Sequence, residues 1–487
     1  MNYHTTSLAR GETWLPRSSA ADEFIGRYVE LFEQYHDARL TQDALRNWRS
    51  DQLAAVLHKV MRSPFYRRHL QGIDLESVRP DDLTALPFTT KEDLRRELYD
   101  VLSGHPREAL YFYETTGTTG KATPCPRDAK EIVASNAFIT ESWSAIFREH
   151  FGAHRPSIGL MGPTEVHSFG DTLGDVAKNL GSCNAKIWPY SPVMGFKRAL
   201  ELMRDLELEV IVATPGVCLN LARAASFHGF DIQKDFRSLR LVFTTGEMCT
   251  SALARNIESL WGVRCYDILY GSQEAFVMGA AAPSGVMRFS ELNYIAEIID
   301  PDSSECLGGR GTGELCVTML MDGVKPFIRY RTGDLVELRD DDESGIDQPG
   351  PIIKVIGRVA DRISLGGRSV TASEVEQSVL HGVLGAYGYQ VVIDGPADCS
   401  DDRVAVRLHF RDGTRSEHGR ILREIERRVG RRFGVECSAE AVDALDDIVS
   451  TGAFVSWKAA RISDRRNEPG AEEVIAAQLA LRRGVTS

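Results

Sequence analysis

No uninterrupted apolar run in this chain is long enough to cross a bilayer. The opening stretch MNYHTTSLARGETW has no apolar core of the kind a signal peptide needs. Basic charge is not in excess either: the formal net charge is -12, which argues against a nucleic-acid partner. Any anionic substrate therefore needs local positive charge set against an unfavourable global field. The nine cysteines are odd in number and no two have C-x-x-C spacing, so a disulfide framework or zinc ribbon is not expected. Reduced thiols in a soluble cytoplasmic protein fit this usage, with no membrane partner. Several familiar catalytic signatures are also missing. There is no G-x-x-x-x-G-K-[ST] loop and no G-x-S-x-G elbow. His150 and His154 have zinc-like spacing, but Gly152 lies between them and no His-Glu-x-x-His is formed. Gly308–Gly313 reads GGRGTG, yet a strand-like ELCVT follows where a dinucleotide fold requires a helix.

What remains is a globular composition of 487 residues, 43% hydrophobic and 26% charged, long enough for about two to four domains. Ala21–Tyr35 and Leu40–Val60 carry apolar residues at helical spacing, and Thr90 with Glu92 and Asp93 marks a further helix start. The middle alternates strand-like runs (Ser157–Met161, Glu209–Ala213, Leu239–Thr244) with helical ones (Ala199–Leu206, Gly216–Ala225, Ser251–Leu260). That alternation predicts an α/β fold with a largely parallel sheet. Shorter strands are expected at Asn293–Ile299, Gly313–Thr318 and Leu335–Leu338. After Gly357-Arg358 the pattern becomes compact α+β, with strands at Arg362–Leu365, Gln390–Ile393 and Val404–Phe410 and helices from Ser373 and over Glu417–Val429. The expected division is a large domain over 1–358 and a small one over 359–487.

Five stretches could carry chemistry. In Glu114–Pro124, ETTGTTGKATP, Thr115, Thr116, Thr118 and Thr119 surround Gly117 and Gly120, and Lys121 follows. Glycines let backbone N–H groups approach an anion, threonines add donors and lysine adds charge, which suits a triphosphate. In Tyr266–Ala275, YDILYGSQEA, an aromatic at a strand end could stack on a base, and Glu274 could hold a divalent cation on phosphates. In FIRYRTGDLVEL, Asp334 could accept both hydroxyls of a ribose, while Arg329 and Arg331 read as ordinary surface charges. Gly357–Glu376 joins the two expected domains, and its Ser373 and Glu376 have capping-box spacing. Ser450–Asp464 holds Lys458, the only lysine of that stretch.

In this order the five stretches resemble the AMP-forming adenylating superfamily of acyl-CoA synthetases, luciferases and peptide-synthetase adenylation domains. SPFYRRHL (Ser63–Leu70) and DDLTALPFTTKEDLR (Asp81–Arg95) are similar to the N-terminal signature of its phenylacetate–CoA ligase branch. The resemblance spans about Leu53 to Asp464. It implies ATP-dependent activation of a carboxylic acid, aromatic by analogy with the branch, to an acyl-adenylate, followed by acyl transfer to CoA. An amine or a carrier protein is an alternative acceptor, and a non-catalytic nucleotide-binding module is the alternative of another class. The implied cofactors are ATP and Mg²⁺, and homodimerisation is one option.

The resemblance also implies residue roles. Thr115–Lys121 would cradle phosphate; Gly246 and Glu247 would line the adenine and acyl pocket. Tyr270, followed by Gly271, Ser272 and Gln273, would lie against adenine. Glu274 would bind Mg²⁺, Asp334 would hold the ribose with Arg358 nearby, Asp361 would lie near a hinge, and Lys458 would reach the acid and the α-phosphate. Position after strand ends adds Met161, His167, Phe169, Pro215 and Gly216 as candidate acid-pocket residues. Three departures from the family pattern stand out: Gln273 replaces the Thr or Ser before the metal-binding Glu, Glu114 opens the phosphate loop, and Trp457 replaces the glycine before the last lysine.

Overall fold

The computed structural model describes residues 19–115, 121–191, 193–341, 348–396, 401–411, 415–445 and 461–466. Thr116–Gly120 and Lys458 lie outside the described residues. The chain divides into two compact units: Met1–Arg155, Thr164–Cys183 and Ile268–Val355 form one, and Pro156–Pro163, Asn184–Asp267 and Ile356–Ser487 form the other.

The first unit opens with the two helices that the periodicity predicts, Ser19–His36 and Gln42–Val60. Helix Lys91–Glu97 starts where expected: Thr90 accepts from the Asp93 N–H and Asp93 returns the bond. The long helix Ala129–Phe151 is apolar on most faces and is correspondingly buried, with Trp143 and Ile139 fully enclosed. Its strands run in the order Cys306–Gly308, Tyr294–Ile299, Gly311–Met319, Tyr330–Arg339, Ile352–Arg358, Met287–Phe289, Phe276–Ala281 and Arg264–Ser272. The register given for these pairs is antiparallel throughout.

In the second unit Leu241–Thr245, Val210–Ala213, Ile158–Met161 and Asn184–Lys186 pair in parallel, as do two later strand pairs. The first three carry only buried residues, as strands covered on both faces should. Helices Gly195–Asp205, Pro215–Phe227 and Ser251–Trp261 alternate with them. The same unit contains a four-stranded sheet in the order Glu436–Ala441, Arg403–Phe410, Ala386–Asp394, Ile462–Asp464, with helices Ala372–Leu380 and Arg415–Phe433. It packs on helix Ser251–Trp261 through a reciprocal contact: Asn256 Nδ2 donates to the Ala386 carbonyl at 2.7 Å, and the Ala386 N–H donates to Asn256 Oδ1 at 2.9 Å.

The capping box of helix Ala372–Leu380 is not the one the spacing suggested. Thr371 and Glu374 form it, and Glu376 is turned inward instead. Arg329 also departs from expectation: it is buried and paired with Glu297 at 2.8 Å, with its guanidinium 4.1 Å from the Phe88 ring centre. Among the described residues no helix is long and apolar enough to span a membrane, and the eight described cysteines are free thiols.

Candidate active site

In the first unit, strands Tyr111–Glu114 and Pro124–Arg127 pair antiparallel and close the loop between them. The Thr115 N–H donates to the Thr123 carbonyl at 3.1 Å, and the Thr115 hydroxyl accepts from the Thr123 N–H at 2.9 Å. Thr115 thus acts at the base of the loop. Lys121 is exposed. Two buried cations hold the second strand. Lys325 Nζ donates to the Pro124 carbonyl at 2.6 Å and lies 3.5 Å from Cys125 Sγ. Burial pulls the Lys325 amine below its ordinary pKa and pushes the Cys125 thiol up.

Arg127 is the other cation, fully buried with Glu131. Its Nη1 donates to Glu131 Oε1 at 2.7 Å, and its Nη2 donates to the carbonyls of Gln273 and Glu274 at 2.6 and 2.7 Å. The Phe276 ring lies 4.8 Å away. One guanidinium therefore ties the end of the loop hairpin to the turn that carries Glu274. The fork geometry of arginine makes this possible; a lysine could not reach in three directions at fixed angles.

That turn is shaped by close packing. A Cβ on Gly271 would meet the Phe276 carbonyl oxygen at 2.3 Å, so only glycine fits, and Phe276 itself sits at φ +67°. The Ser272 hydroxyl accepts from the Ala275 N–H at 3.0 Å, and the Tyr294 hydroxyl donates to the Ala275 carbonyl at 2.6 Å. The Gln273 side-chain carbonyl is buried without a hydrogen-bond partner among the described residues. Lys91 Nζ, at the start of its helix, lies 3.7 Å from Glu274 Oε1. Asp334 meets Tyr270 directly, the phenol donating to Oδ2 at 2.8 Å. A glycine turn presents Asp334: Gly333 is at φ +75° and its N–H donates to Glu314 at 3.1 Å.

Asp128, next to Arg127, caps helix Ala129–Phe151 by accepting from the Glu131 N–H at 3.1 Å. Burial, and then the Glu131 charge, push its carboxyl up to about 7. The raised pKa favours the protonated acid in the fold, so this group's contribution is full below its ordinary value of 3.8 and is lost as pH rises through about 7. Asp128→Asn keeps the cap acceptor without the charge. We expect it to melt with the wild type near pH 4 and a few degrees higher at pH 8, as thermal melts across that range would show. A constant gap at every pH would contradict the assignment.

In the second unit, Gly246 turns the chain at φ +80° after strand Leu241–Thr245. Glu247 Oε2 accepts from the Gly216 N–H at 3.2 Å, at the N-terminus of helix Pro215–Phe227, where an anion is favoured. Arg461 reaches the same carboxylate, 3.6 Å away. Met161 is fully enclosed in the unit's apolar core. Arg358 ends its strand exposed, and the exposed Asp361 donates its N–H to the Arg358 carbonyl at 3.2 Å. His167, of the first unit, caps helix Ser168–Asn179 through Nδ1, which accepts from the Phe169 N–H at 3.1 Å; Phe169 is buried. The structure thus brings Tyr270, Asp334 and the Glu274 turn into one unit, and Gly216, Glu247 and Arg461 into the other. Lys91, Arg127, Lys325 and Arg461 were not singled out by the sequence. The one signal for Arg127 is a charged residue inside the short run PCPR, where a two-proline strand has little surface to show.

Nothing in the described residues groups three or more metal-ligating side chains. A single buried carboxylate on a fixed turn nonetheless suits magnesium, which takes one or two protein carboxylates and draws its other ligands from phosphates and water.

No protein-family model matches the chain. It is 27% identical over 428 residues to a phenylacetate–coenzyme A ligase of Pseudomonas putida, covering 82% of this chain and 93% of that protein. It is 26% identical over 450 residues to the phenylacetate–coenzyme A ligase of Aromatoleum evansii, covering 88% and 96%. Among solved structures, a 2-hydroxyisobutyryl-CoA ligase in its postadenylation state, bound to 2-HIB-AMP, matches with a TM-score of 0.73 at 18% identity, covering 96% of each chain; at that identity the likeness speaks for the fold.

Proposed function

We propose that this chain, a member of the AMP-forming adenylating superfamily on its phenylacetate–CoA ligase-like branch, joins a carboxylic acid to coenzyme A in two steps. In the first, the acid's carboxylate attacks the α-phosphorus of ATP and pyrophosphate leaves. In the second, the thiol of CoA attacks the acyl carbon and AMP leaves. The observation that carries this reading is the meeting of Tyr270 and Asp334 at 2.8 Å in the unit where Arg127 fixes the Glu274 turn. A nucleoside needs a flat aromatic surface and a carboxylate for the ribose hydroxyls, and separate motifs here supply both in one place.

The residues divide the work by charge. Two anions must approach in the first step, so positive charge is needed where negative charge accumulates. We assign that role to Lys458 and to Lys121 at the phosphate loop Thr115–Lys121. Glu274 would hold Mg²⁺ together with the nucleotide's phosphates, and the ion supplies charge neutralisation there. Lys91 now occupies the neighbourhood of that carboxylate and would yield part of it to the ion. Residues 359–487 act as a small domain that carries Lys458 and turns about Asp361 between the two steps. The acid is aromatic, the substrate class that most of this reading's relatives share in name.

Pyrophosphate release tests the proposal. The enzyme, ATP and Mg²⁺ are mixed with a panel of aromatic, aliphatic and amino acids, with and without CoA. Release that depends on an aromatic acid and accelerates with CoA is expected. Acid-dependent release indifferent to CoA would replace CoA by an amine or carrier-protein acceptor. No release with any acid would sink the catalytic reading.

A further inference from the structure

Helix Arg415–Phe433 takes no part in the roles above, and its charge runs against the rest of the chain. It carries seven arginines and three glutamates in a protein of formal net charge -12. Its inner face is fixed by packing, with Ile425 and Val429 fully buried. Two arginines on one flank are tied to helix Ala372–Leu380. Arg428 donates to the Ser378 and Val379 carbonyls at 2.6 and 3.3 Å, and Arg432 pairs with Glu374 at 3.3 Å. Glu426 accepts from the Ala439 N–H at 3.0 Å.

The outer face is different. Arg420, Arg423, Arg427 and Arg431 are all exposed. At about 100° per residue they fall within an arc of about 80°, opposite Ile425 and Val429, and span about 16 Å along the axis. Arg420, Arg423 and Arg431 make no ion pair or hydrogen bond among the described residues. Arg427 shares the exposed Glu424 at 2.7 Å, a surface pair that holds it only weakly. A solvated helix face ordinarily interleaves its signs, because opposite charges three or four residues apart stabilise it and like charges destabilise it. Here like charges repeat at that spacing where no core contact requires them. An anion laid along the stripe would relieve the repulsion.

We propose that this stripe binds the nucleotide end of CoA, an adenosine that carries a 3′-phosphate and a 5′-diphosphate. The proposal rests on the CoA-ligase reading above. Each guanidinium offers a planar fork that matches phosphate oxygens two at a time. Extent favours a small ligand over a polyanion. Screening sets in at about 8 Å in physiological salt, so a compact bisphosphate lying on the stripe feels chiefly the arginines. A nucleic acid or a membrane would reach beyond them, over a chain of net negative charge. The thiol of CoA stands at the end of a pantetheine arm about as long as four extended residues, about 14 Å, so its phosphates can be held away from the reacting carbon. Anchoring them makes the arrival of the thiol an intramolecular event.

The test is the double variant Arg423→Gln/Arg431→Gln, whose changes lie on the surface. With phenylacetate as the acid, its KM for CoA should rise about tenfold, the worth of two exposed charge contacts, while the KM for ATP does not move. Wild type should prefer CoA to 3′-dephospho-CoA, and the double variant should lose most of that preference. Arg432→Gln, off the stripe, should leave the KM for CoA where it was. An unchanged KM for CoA in the double variant would overturn the proposal. So would an equal rise in Arg432→Gln, which would mean net charge alone, or a parallel rise in the KM for ATP. Sedimentation with phosphatidylserine vesicles covers the other occupant: vesicle binding lost in the double variant at constant KM for CoA would assign the stripe to a membrane. Calorimetry with adenosine 3′,5′-bisphosphate needs no acid. Wild type should bind it more tightly than the double variant, and equal binding would refute the site. If no acid supports CoA-dependent turnover, the ligase reading fails and the calorimetry still decides whether the stripe holds the bisphosphate.

Discussion

Arg127→Met should lower stability more than any other single change described above, and should abolish activity with it. The side chain is fully buried, and its loss strands the fully buried Glu131 carboxylate. Leaving one partner of a buried ion pair alone costs about 3–5 kcal/mol. The carbonyls of Gln273 and Glu274 lose their shared donor at the same time. The double variant Arg127→Met/Glu131→Leu removes the stranded charge, so part of the stability should return. Activity should not return with it, because the turn that carries Glu274 is still untied. Urea or thermal melts with ATP–pyrophosphate exchange on both variants check this. A single variant that melts with the wild type would refute the clamp, and a double variant with wild-type exchange would refute its link to Glu274.

Lys458→Ala should abolish acid-dependent exchange while leaving ATP binding intact. Attack of a carboxylate on the α-phosphorus concentrates negative charge that no neutral residue can offset. Removing one preorganised donor from such a site costs about 10²–10³ in turnover, or about 2.7–4 kcal/mol. ATP itself would still be held by the phosphate loop, Tyr270 and Asp334, so equilibrium binding of ATP should be little altered. Exchange at the wild-type rate in this variant would remove Lys458 from the mechanism. Loss of ATP binding would instead place it among the nucleotide contacts.

The fold was legible where periodicity is strong. Helices Gln42–Val60 and Ser251–Trp261 and strands Val210–Ala213 and Tyr294–Ile299 lie within a few residues of their expected positions. The three alternating strands behind the parallel expectation do pair in parallel, but periodicity does not say how strands pair, and those from Phe276 to Arg339, for which no pairing was expected, are antiparallel. Local spacing misled at helix Ala372–Leu380, because Ser373/Glu376 and Thr371/Glu374 fit a capping box equally well and tertiary contacts chose between them. Tyr270 and Asp334 were legible as separate motifs, and their hydrogen bond was not, since nothing local records a partner so distant in sequence. Arg127, Arg329 and Lys325 were illegible for a related reason. A basic residue is read as surface by default, and only the fold shows which carbonyls and carboxylates will receive it.

Lys325 has a bearing on damage the enzyme would do to itself. An acyl-adenylate is an acylating agent, and amines with lowered pKa are the first targets it would find. Lys325 is such an amine, drawn down by burial and sealed against Pro124 and Cys125. Folding therefore seals this amine away, and on opening it reverts to an ordinary lysine, while the exposed Lys121 remains open to modification. Acylation of Lys325 would mark only chains that had opened, and its abundance in an ageing sample, read by mass spectrometry, would rise with the extent of unfolding.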